Sequence, residues 1–260
     1  MKIFYVAELV GKSGVYVLKK TLSELKKRFP WDFLIVCADG ATGGNGLGRS
    51  HAAYIHKMGA DVITLGECSF FKKDLTENID KMPYILRPEN LNPDAPGFGS
   101  RVYKAGNEKI AVAVLIGQNG FTRLHANNPF AVLPGLLERL KKQTSCIIID
   151  FHAQASAEKK TFFFSADGHC SAVIGSHTRV QTSDETILDG GTACISDAGR
   201  TGSIQSVGGC DINLRIKEYL TGIPDWTKEA WEGLELQGVY LDIGKDGKAR
   251  SIERVRLAVS

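Results

Sequence analysis

The sequence lacks any long apolar run. None approaches the roughly 20 residues that a membrane-spanning helix needs. The apolar N-terminal run is interrupted by Glu8, too early for a signal peptide. We therefore expect neither a membrane anchor nor a cleaved leader, and we predict a cytoplasmic protein.

Paired cysteine motifs are also absent. The six cysteines, at positions 37, 68, 146, 170, 194 and 210, form no CxxC pair, which argues against a zinc-ribbon or thioredoxin-like motif. Cys37, Cys146 and Cys194 stand inside apolar runs, where a buried thiol is the usual finding. The pattern predicts free thiols in a reducing compartment rather than a disulfide framework.

Neither sign of charge dominates. The 32 basic and 29 acidic residues leave a net charge of +3, and the basic residues are dispersed, so nothing indicates nucleic-acid binding. Repeats, low-complexity segments and linkers are missing as well. Hydrophobic residues make up 43% of the chain, enough for a sizeable core. We expect a single domain over residues 1–260.

What the sequence does have is an alternation of apolar runs with helical patterns. Several runs are almost wholly apolar, which is typical of strands buried on both faces. One helix carries Leu18, Leu25 and Phe29 on a single face and ends at Pro30. The alternation predicts an α/β fold with a largely parallel sheet. The predicted strands are 2–8, 32–39, 61–67, 109–116, 145–152, 172–177, 192–196 and an edge hairpin of 238–243 and 252–257, with further helices at 51–58, 72–82 and 129–142.

Residues able to bind a metal stand where several of these strands end. In open α/β sheets, ligands bind outside the carboxyl ends of the strands. Taken singly, each such residue has a simpler explanation as a turn residue, a helix cap or a hydrogen-bonded interior histidine. Together they predict one shared site, and the mixture of histidines and carboxylates suits Mn, Fe or Zn. The residues are Glu8, Asp39, Glu67 with Cys68, Asp150 with His152, and His177 with Arg179.

The sequence around these positions resembles the YmdB-like metallophosphoesterases, bacterial members of the calcineurin-like superfamily. The likeness runs from Met1 to about Arg256. It implies a four-layer α/β/β/α sandwich with mixed sheets, a two-metal centre and phosphodiesterase activity, with 2′,3′-cyclic nucleotides among the substrates. The matching segments are 11–14, 43–48, 60–66, 86–90, 150–153, 156, 158–159, 173–178, 180–182, 184, 191–193, 201–202 and the closing strand pair.

The site nevertheless departs from the family pattern. A guanidinium has no lone pair for a metal and stays protonated, so Arg179 cannot replace a ligating histidine. We expect its charge to occupy the region of one missing metal and to pair with Glu8. The family has Asp, Glu-Asn, Asn-His, Glu and a last histidine at positions where this chain has, in the same order, Glu8, Asp39-Gly40, Glu67-Cys68, Gln154 and Arg179. His152 and His177 match the family pattern.

The resemblance also implies roles for the replaced residues. The family histidine at the position of Cys68 acts on the leaving oxygen, and a thiol is a poor substitute for an imidazolium. A plausible four-ligand set for one ion remains in Asp39, Glu67, His152 and His177, and Glu8 is the further candidate ligand. The candidate phosphate contacts are Gly40, Asn90, Thr178 and Arg179.

The prediction is therefore a YmdB-like homologue with an altered dimetal centre, weak or no phosphodiesterase activity and a binding or regulatory role. We expect one divalent Fe, Mn or Zn ion, or none, rather than two. One alternative is an active phosphodiesterase with a rearranged ligand set, acting on 2′,3′-cyclic nucleotides or other phosphodiesters. Another is a thiol enzyme that uses Cys68. The expected partners are a small phosphate or nucleotide ligand and further copies of the chain in a homo-oligomer; the sequence identifies no other protein partner.

Overall fold

The structure, a computed structural model, describes residues 1–225 and 228–259. The strands are β1 Lys2–Val6, β2 Glu8–Leu9, β3 Phe33–Cys37, β4 Val62–Thr64, β5 Ile85–Leu86, β6 Ser100–Ala105, β7 Glu108–Ile116, β8 Ile147–His152, β9 Ala172–Ser176, β10 Thr186–Ile187, β11 Ala193–Ile195, β12 Arg200–Ser203, β13 Leu234–Ile243 and β14 Ala249–Ala258. The helices are α1 Gly11–Arg28, α2 Arg49–Lys57, α3 Lys73–Thr76, α4 Pro129–Lys141, α5 Ser156–Ala166 and α6 Ile212–Thr221, with a 3₁₀ turn at Ile79–Lys81.

These strands form two mixed sheets. The eight-stranded sheet has the order β2-β12-β13-β1-β3-β4-β5, with β14 beside β13. Within it β1, β3, β4 and β5 run parallel, whereas β13 is antiparallel to both β1 and β14. The six-stranded sheet has the order β10-β11-β9-β8-β7-β6 and a parallel centre of β7, β8, β9 and β11. The predicted C-terminal hairpin is confirmed as β13 and β14.

The two sheets pack face to face between outer helices. Alternate residues of a strand point to opposite faces of its sheet. Phe4 accordingly packs against α1 and α2, while Tyr5 faces the other sheet. In the second sheet Ile148 faces inward, and Ile149 packs under α4 and α5. The result is the four-layer α/β/β/α sandwich that the family resemblance implied.

One helical prediction needs correction, and helices α5 and α6 were not predicted. The helix expected over 72–82 is divided into α3 and the 3₁₀ turn, because Asn78 between them has φ −127° and ψ −4°, outside helical geometry. Leu75 and Ile79 are both buried, so their four-residue spacing correctly predicted that these side chains are buried. It did not predict that the helix is interrupted between them. Helix α5 was not predicted, since the run Phe162, Phe163 and Phe164 obscures its amphipathic pattern.

No helix within residues 1–225 and 228–259 is long and apolar enough to cross a bilayer. All six cysteines are buried and free of disulfides, which confirms the prediction of free thiols.

Candidate metal centre

The predicted site residues converge at one edge of the sandwich. Glu8 follows β1, Asp39 follows β3 and Glu67 follows β4, all in the first sheet. His152 ends β8 and His177 follows β9, both in the second sheet. The two parallel sheet centres therefore bring their carboxyl ends together, and the site lies where the sheets meet.

Three side chains form a compact donor group. The Nδ1 atom of His177 lies 3.2 Å from Oε1 of Glu67. The Nε2 atom of His152 contacts Oε2 of the same carboxylate. The donor atoms of all three residues lie within 4.8 Å of one another, as a single metal ion requires.

Asp39, the fourth predicted ligand, belongs to an overlapping group with Glu67 and Cys68. Its Oδ2 atom lies 3.8 Å from Nε2 of His152. Both oxygens already accept hydrogen bonds from backbone N–H groups, that of Gly66 at 2.6 Å and that of Cys68 at 3.1 and 3.2 Å. Asp39 thus fixes the turn that carries Glu67 and contributes negative charge beside the donor group.

A buried hydrogen-bond network sets the ligating nitrogen of His152. Ser176 donates its hydroxyl hydrogen to Asp150 at 2.7 Å, so its oxygen accepts from Nδ1–H of His152 at 2.9 Å. Asp150 also accepts from Tyr5 at 2.7 Å and from Thr64 at 2.5 Å. With Nδ1 held by Ser176, Nε2 faces Glu67 and is the nitrogen left to bind a metal once its proton is displaced, which is how a supporting carboxylate network prepares a metal-binding histidine. Asp150 is therefore a buried anchor of the site rather than a helix cap.

The segment after β9 is held in a strained shape. His177 has φ 99° and Arg179 has φ 60°, the two non-glycine residues with positive φ among those described. Asp197 fixes the segment by accepting from the backbone N–H of Thr178 and from the buried Lys159, both at 2.9 Å. Strain at a site persists only where surrounding contacts over-determine it. The predicted phosphate contact Thr178 thus offers its backbone N–H to Asp197.

On the other side of the site, Arg179 forms an ion pair with Glu8. Its Nε and Nη2 atoms donate to Oε1 of Glu8 at 2.9 and 2.7 Å. Further donation goes to the carbonyl oxygens of Gly44 at 2.9 Å and Gly208 at 3.2 Å. The Glu8 side chain is only 2% exposed, so this is a buried pair. The predicted pairing of Arg179 with Glu8 is confirmed.

Gly40 makes room for this ion pair. A Cβ atom built on Gly40 would lie 2.8 Å from Nη2 of Arg179 and 2.8 Å from Oε1 of Glu8, closer than such contacts occur. The asparagine of the family pattern would therefore collide with Arg179 in its present position. A side chain at position 40 would therefore require Arg179 or Glu8 to move.

The charges of the site favour a single added cation. Burial raises the pKa of Asp39, and the nearby Glu67 raises it further. Burial lowers the pKa of His152, but Glu67 and Asp39 outweigh it and raise that pKa to about 10. The site therefore retains protons that a divalent ion would replace, and the donor set of two imidazoles and a carboxylate suits Mn, Fe or Zn. A second ion beside Arg179 would meet a fixed positive charge, so the residues fit one ion better than two.

Cys68 lies beside Asp39 with its thiol buried. Its residue is 3% exposed, and burial raises the pKa of the thiol well above its ordinary value, with Asp39 and Glu67 acting in the same direction. A nucleophilic cysteine needs an accessible thiolate. This environment does not support the thiol-enzyme alternative.

Asn90, a predicted phosphate contact, is buried and hydrogen-bonded to backbone groups. Its side-chain amide donates to the carbonyl oxygens of Ile116 and Asn127 at 2.8 Å each, and its Oδ1 accepts from the N–H of Ile116 at 2.9 Å. Asn90 thus ties the two ends of segment 117–126 together. Gln154 is exposed.

Sequence reasoning missed two aromatic residues at the site. Phe121 lies edge-on to His177, with ring centroids 4.9 Å apart, and stacks beside His152 at 5.8 Å. Phe71 lines the same cleft as Phe121. Neither ends a strand, and a phenylalanine in a loop carries no signal of a site in the sequence.

The whole chain has known relatives. A family profile described as YmdB-like protein matches residues 4–255. The chain is 36% identical over 256 residues to a 2′,3′-cyclic-nucleotide 2′-phosphodiesterase of Bacillus subtilis (strain 168), covering 98% of this chain and 96% of that protein. A crystal structure of a novel phosphatase from Mycoplasma pneumoniae superimposes with a TM-score of 0.92 at 30% identity, covering 99% and 93% of the two chains. A hypothetical protein from Thermus thermophilus gives a TM-score of 0.91 at 26% identity, with 99% of both chains covered.

Proposed function

Because this chain belongs to the YmdB-like family of the metallophosphoesterases, we propose that it holds one divalent transition metal, Fe, Mn or Zn, at Glu67, His152 and His177. Phosphate-bearing ligands bind at this centre. Phosphodiester hydrolysis is weak or absent, and the protein acts by binding or regulation.

The ion pair of Glu8 and Arg179 carries the proposal. Two-metal phosphoesterases hold the attacking and leaving oxygens between two ions. Here a guanidinium lies beside Glu8 and repels a second cation. Loss of one preorganised electrostatic contact typically removes about 3 kcal/mol of transition-state stabilisation.

The remaining groups favour binding over turnover. A metal ion at the donor group would act as a Lewis acid on a phosphate oxygen. Arg179 has five N–H donors, of which the described contacts use four, so one Nη1–H can meet a second phosphate oxygen. The leaving oxygen needs a proton, and the buried thiol of Cys68 is a poor source because its pKa is raised.

One observation favours an active enzyme with a rearranged ligand set. The second oxygen of Glu8, Oε2, is buried without a hydrogen-bond partner among the described residues. Leaving such an atom unpaired costs roughly 1–3 kcal/mol or more. If Arg179 moves aside, Oε2 becomes a ligand for a second cation, and 2′,3′-cyclic nucleotides are then the first substrates to test.

Metal stoichiometry with a parallel activity assay separates the two proposals. Protein purified without chelator is analysed for metal, and hydrolysis of 2′,3′-cyclic AMP is followed with added Mn²⁺. We expect no more than one ion per chain and turnover no faster than that of His152→Ala, which itself binds no metal. His169→Ala, an exposed histidine outside the site, serves as the matched control. Two ions per chain, with turnover that is lost in His152→Ala, would establish the active enzyme instead.

A further inference from the structure

Helix α6 turns its apolar face away from the rest of the chain. Ile212, Ile216, Tyr219 and Leu220 recur at the spacing of one helical face. All four are exposed, Tyr219 to 87% and Leu220 to 81%. In α1 and α4 the apolar face packs into the core instead. We call these four residues, together with the exposed Ile223 just beyond the helix, the α6 stripe.

The opposite face of α6, which lies against the chain, is mainly polar. Its half-buried residues are Leu214, Arg215 and Glu218. The Nη1 atom of Arg215 donates to Oε2 of Glu218 at 2.7 Å. No residue of this ten-residue helix is buried among the described residues. A helix this short depends on packing of an apolar face for its stability. Within the described chain, α6 therefore lacks the apolar contact that a helix of its length needs.

Backbone hydrogen bonds hold the start of α6 in place. The N–H of Asp211 donates to the carbonyl oxygen of Lys228, and that of Ala230 donates to Gly209, both at 2.9 Å. Asp211 also caps the helix by accepting from the N–H of Leu214 at 2.9 Å. The stripe is therefore presented on an anchored helix, and its outward orientation is part of the fold.

The size of the stripe matches one half of a dimer interface. Taking about 150 Å² for a fully exposed large side chain, the exposed fractions of its members amount to on the order of 500 Å². Two stripes packed together would bury about 1,000 Å², which is enough for a specific interface. Val207 and Trp231, both about half exposed, lie on the paired segments beside the start of α6 and would extend the contact at that end.

The charges beside the stripe fit a second copy of the chain better than a lipid surface. Helices that lie in a membrane interface are rich in Lys and Arg on the polar face. In α6, Arg215 is paired with Glu218, and Nζ of Lys217 lies 3.9 Å from a carboxylate oxygen of Asp225. The basic charge of the helix is thus balanced by neighbouring acids, and two copies can meet without repulsion.

We propose that α6 packs against α6 of a second copy of this chain, with the two stripes antiparallel about a two-fold axis. Such a contact uses the same surface twice and closes at two copies. Ile212, Ile216 and Leu220 form a ridge at four-residue spacing, the ridge that interdigitates in the commonest class of helix packing. The homo-oligomer expected from the sequence thereby acquires a defined surface. The contact is independent of the proposed metal centre.

The oligomeric state of the full chain tests this pairing. Sedimentation equilibrium of the wild-type protein at micromolar concentration should give twice the mass of one chain. Ile216→Glu combined with Leu220→Glu places carboxylates from both copies in the apolar contact. This should weaken association more than about 100-fold and leave a monomer. Both side chains are exposed in the single chain, so the circular dichroism spectrum should not change.

The matched control is Phe164→Glu, which places the same charge on an exposed phenylalanine of α5 and should leave the dimer intact. A cross-link then identifies the surfaces that meet. In an antiparallel pair, a residue in the middle of the stripe faces its own copy, so a short bis-maleimide should join two chains of Ile216→Cys. The wild-type protein, whose six cysteines are buried, should not be joined.

A monomeric wild-type protein overturns the proposal. If that monomer floats with phosphatidylglycerol vesicles, the stripe belongs to a lipid surface instead. A dimer that survives the double glutamate substitution has its interface elsewhere, which also overturns the proposal. A dimer that the double substitution disrupts but that Ile216→Cys does not cross-link would mean that α6 meets a different surface of the second copy, and the helix-to-helix pairing would be wrong.

Discussion

The two sides of the site use neighbouring residues for opposite purposes. On the metal side, Glu67, His152 and His177 present lone pairs to a common point. On the ion-pair side, Glu8 and Arg179 have satisfied each other's charge. His177 and Arg179 are only two residues apart in one segment. The position of a side chain in this fold therefore does not decide its chemistry; the presence or absence of a lone pair does.

The backbone is alike on the two sides. His177 and Arg179 both have positive φ, and Asp197 holds the segment between them through Thr178. Such strain is costly for residues with side chains, about 1–3 kcal/mol each. The strain is present at Arg179 although this residue has no lone pair to offer a metal, so the segment keeps one backbone shape for two different side-chain chemistries.

The ion-pair side should be the more fragile of the two when one partner is removed. Arg179→Ala leaves the carboxylate of Glu8 buried without its counter-charge, which typically costs about 3–5 kcal/mol. We expect this loss in the free energy of unfolding, measured by urea denaturation in the presence of chelator. The double variant with Glu8→Gln should recover part of the loss, since the buried charge is then gone.

An exposed pair gives the matched control. Arg28 and Glu24 lie 3.5 Å apart on α1 with side chains 52% and 60% exposed, so Arg28→Ala should change stability by less than about 1 kcal/mol. If Arg179→Ala is as mild as Arg28→Ala, Glu8 does not depend on its partner, and the contrast between the two sides disappears.

A substitution on the metal side should lower the affinity for the metal ion more than it lowers the stability of the fold. Ser176→Ala removes the acceptor that keeps the proton on Nδ1 of His152 and so frees the ring to turn or change tautomer. Loss of such a supporting partner usually lowers metal affinity about 10- to 100-fold. Competition with a chromophoric chelator measures the Mn²⁺ or Zn²⁺ affinity directly.

Ser165→Ala, an exposed serine of α5, is the control for this measurement. Ser176→Thr keeps the hydroxyl and should restore much of the affinity. Unchanged metal binding in a folded Ser176→Ala protein would mean that Nε2 of His152 is not the ligating atom.

The sequence was sufficient for the parts of this site that follow from strand ends. Parallel strands deliver their carboxyl ends to one edge, so Glu8, Asp39, Glu67, His152 and His177 could be grouped before any coordinates were known. The pairing of Glu8 with Arg179 followed from the family resemblance, which placed both replaced residues at one site, and from their opposite charges. What could not be predicted is Gly40, because its role is the space it leaves for a residue 139 positions later.

Other contacts could not be predicted from the sequence for a related reason. Asp150 accepts from Tyr5 and Thr64, which are 145 and 86 residues away and lie on other strands. Such partners are set by how the two sheets pack together, and a pattern within one strand does not report it. The contacts of Asn90 could not be predicted either, because an asparagine beside a motif carries no sign of whether it contacts ligand or backbone.

The smallest expected effect concerns Cys68, which lies on the metal side without belonging to its donor group of Glu67, His152 and His177. Alkylation requires the thiolate. Burial raises the pKa of this thiol first, and the negative charges of Asp39 and Glu67 raise it further, so near pH 8 the proton stays on. Iodoacetamide should leave the native chain unlabelled by mass spectrometry and should label all six cysteines in urea.

The Cys68→Ala variant shows whether an adduct, if one forms, is on Cys68 or on another cysteine. Neither the native wild-type protein nor the variant should gain an adduct, and phosphate binding should be equal in both because the thiol is not one of the three proposed metal ligands. One adduct per native chain that is missing in Cys68→Ala would show a reactive thiolate beside Asp39. The thiol alternative would then regain support, because a thiolate this close to two carboxylates persists only if a cation lies near it.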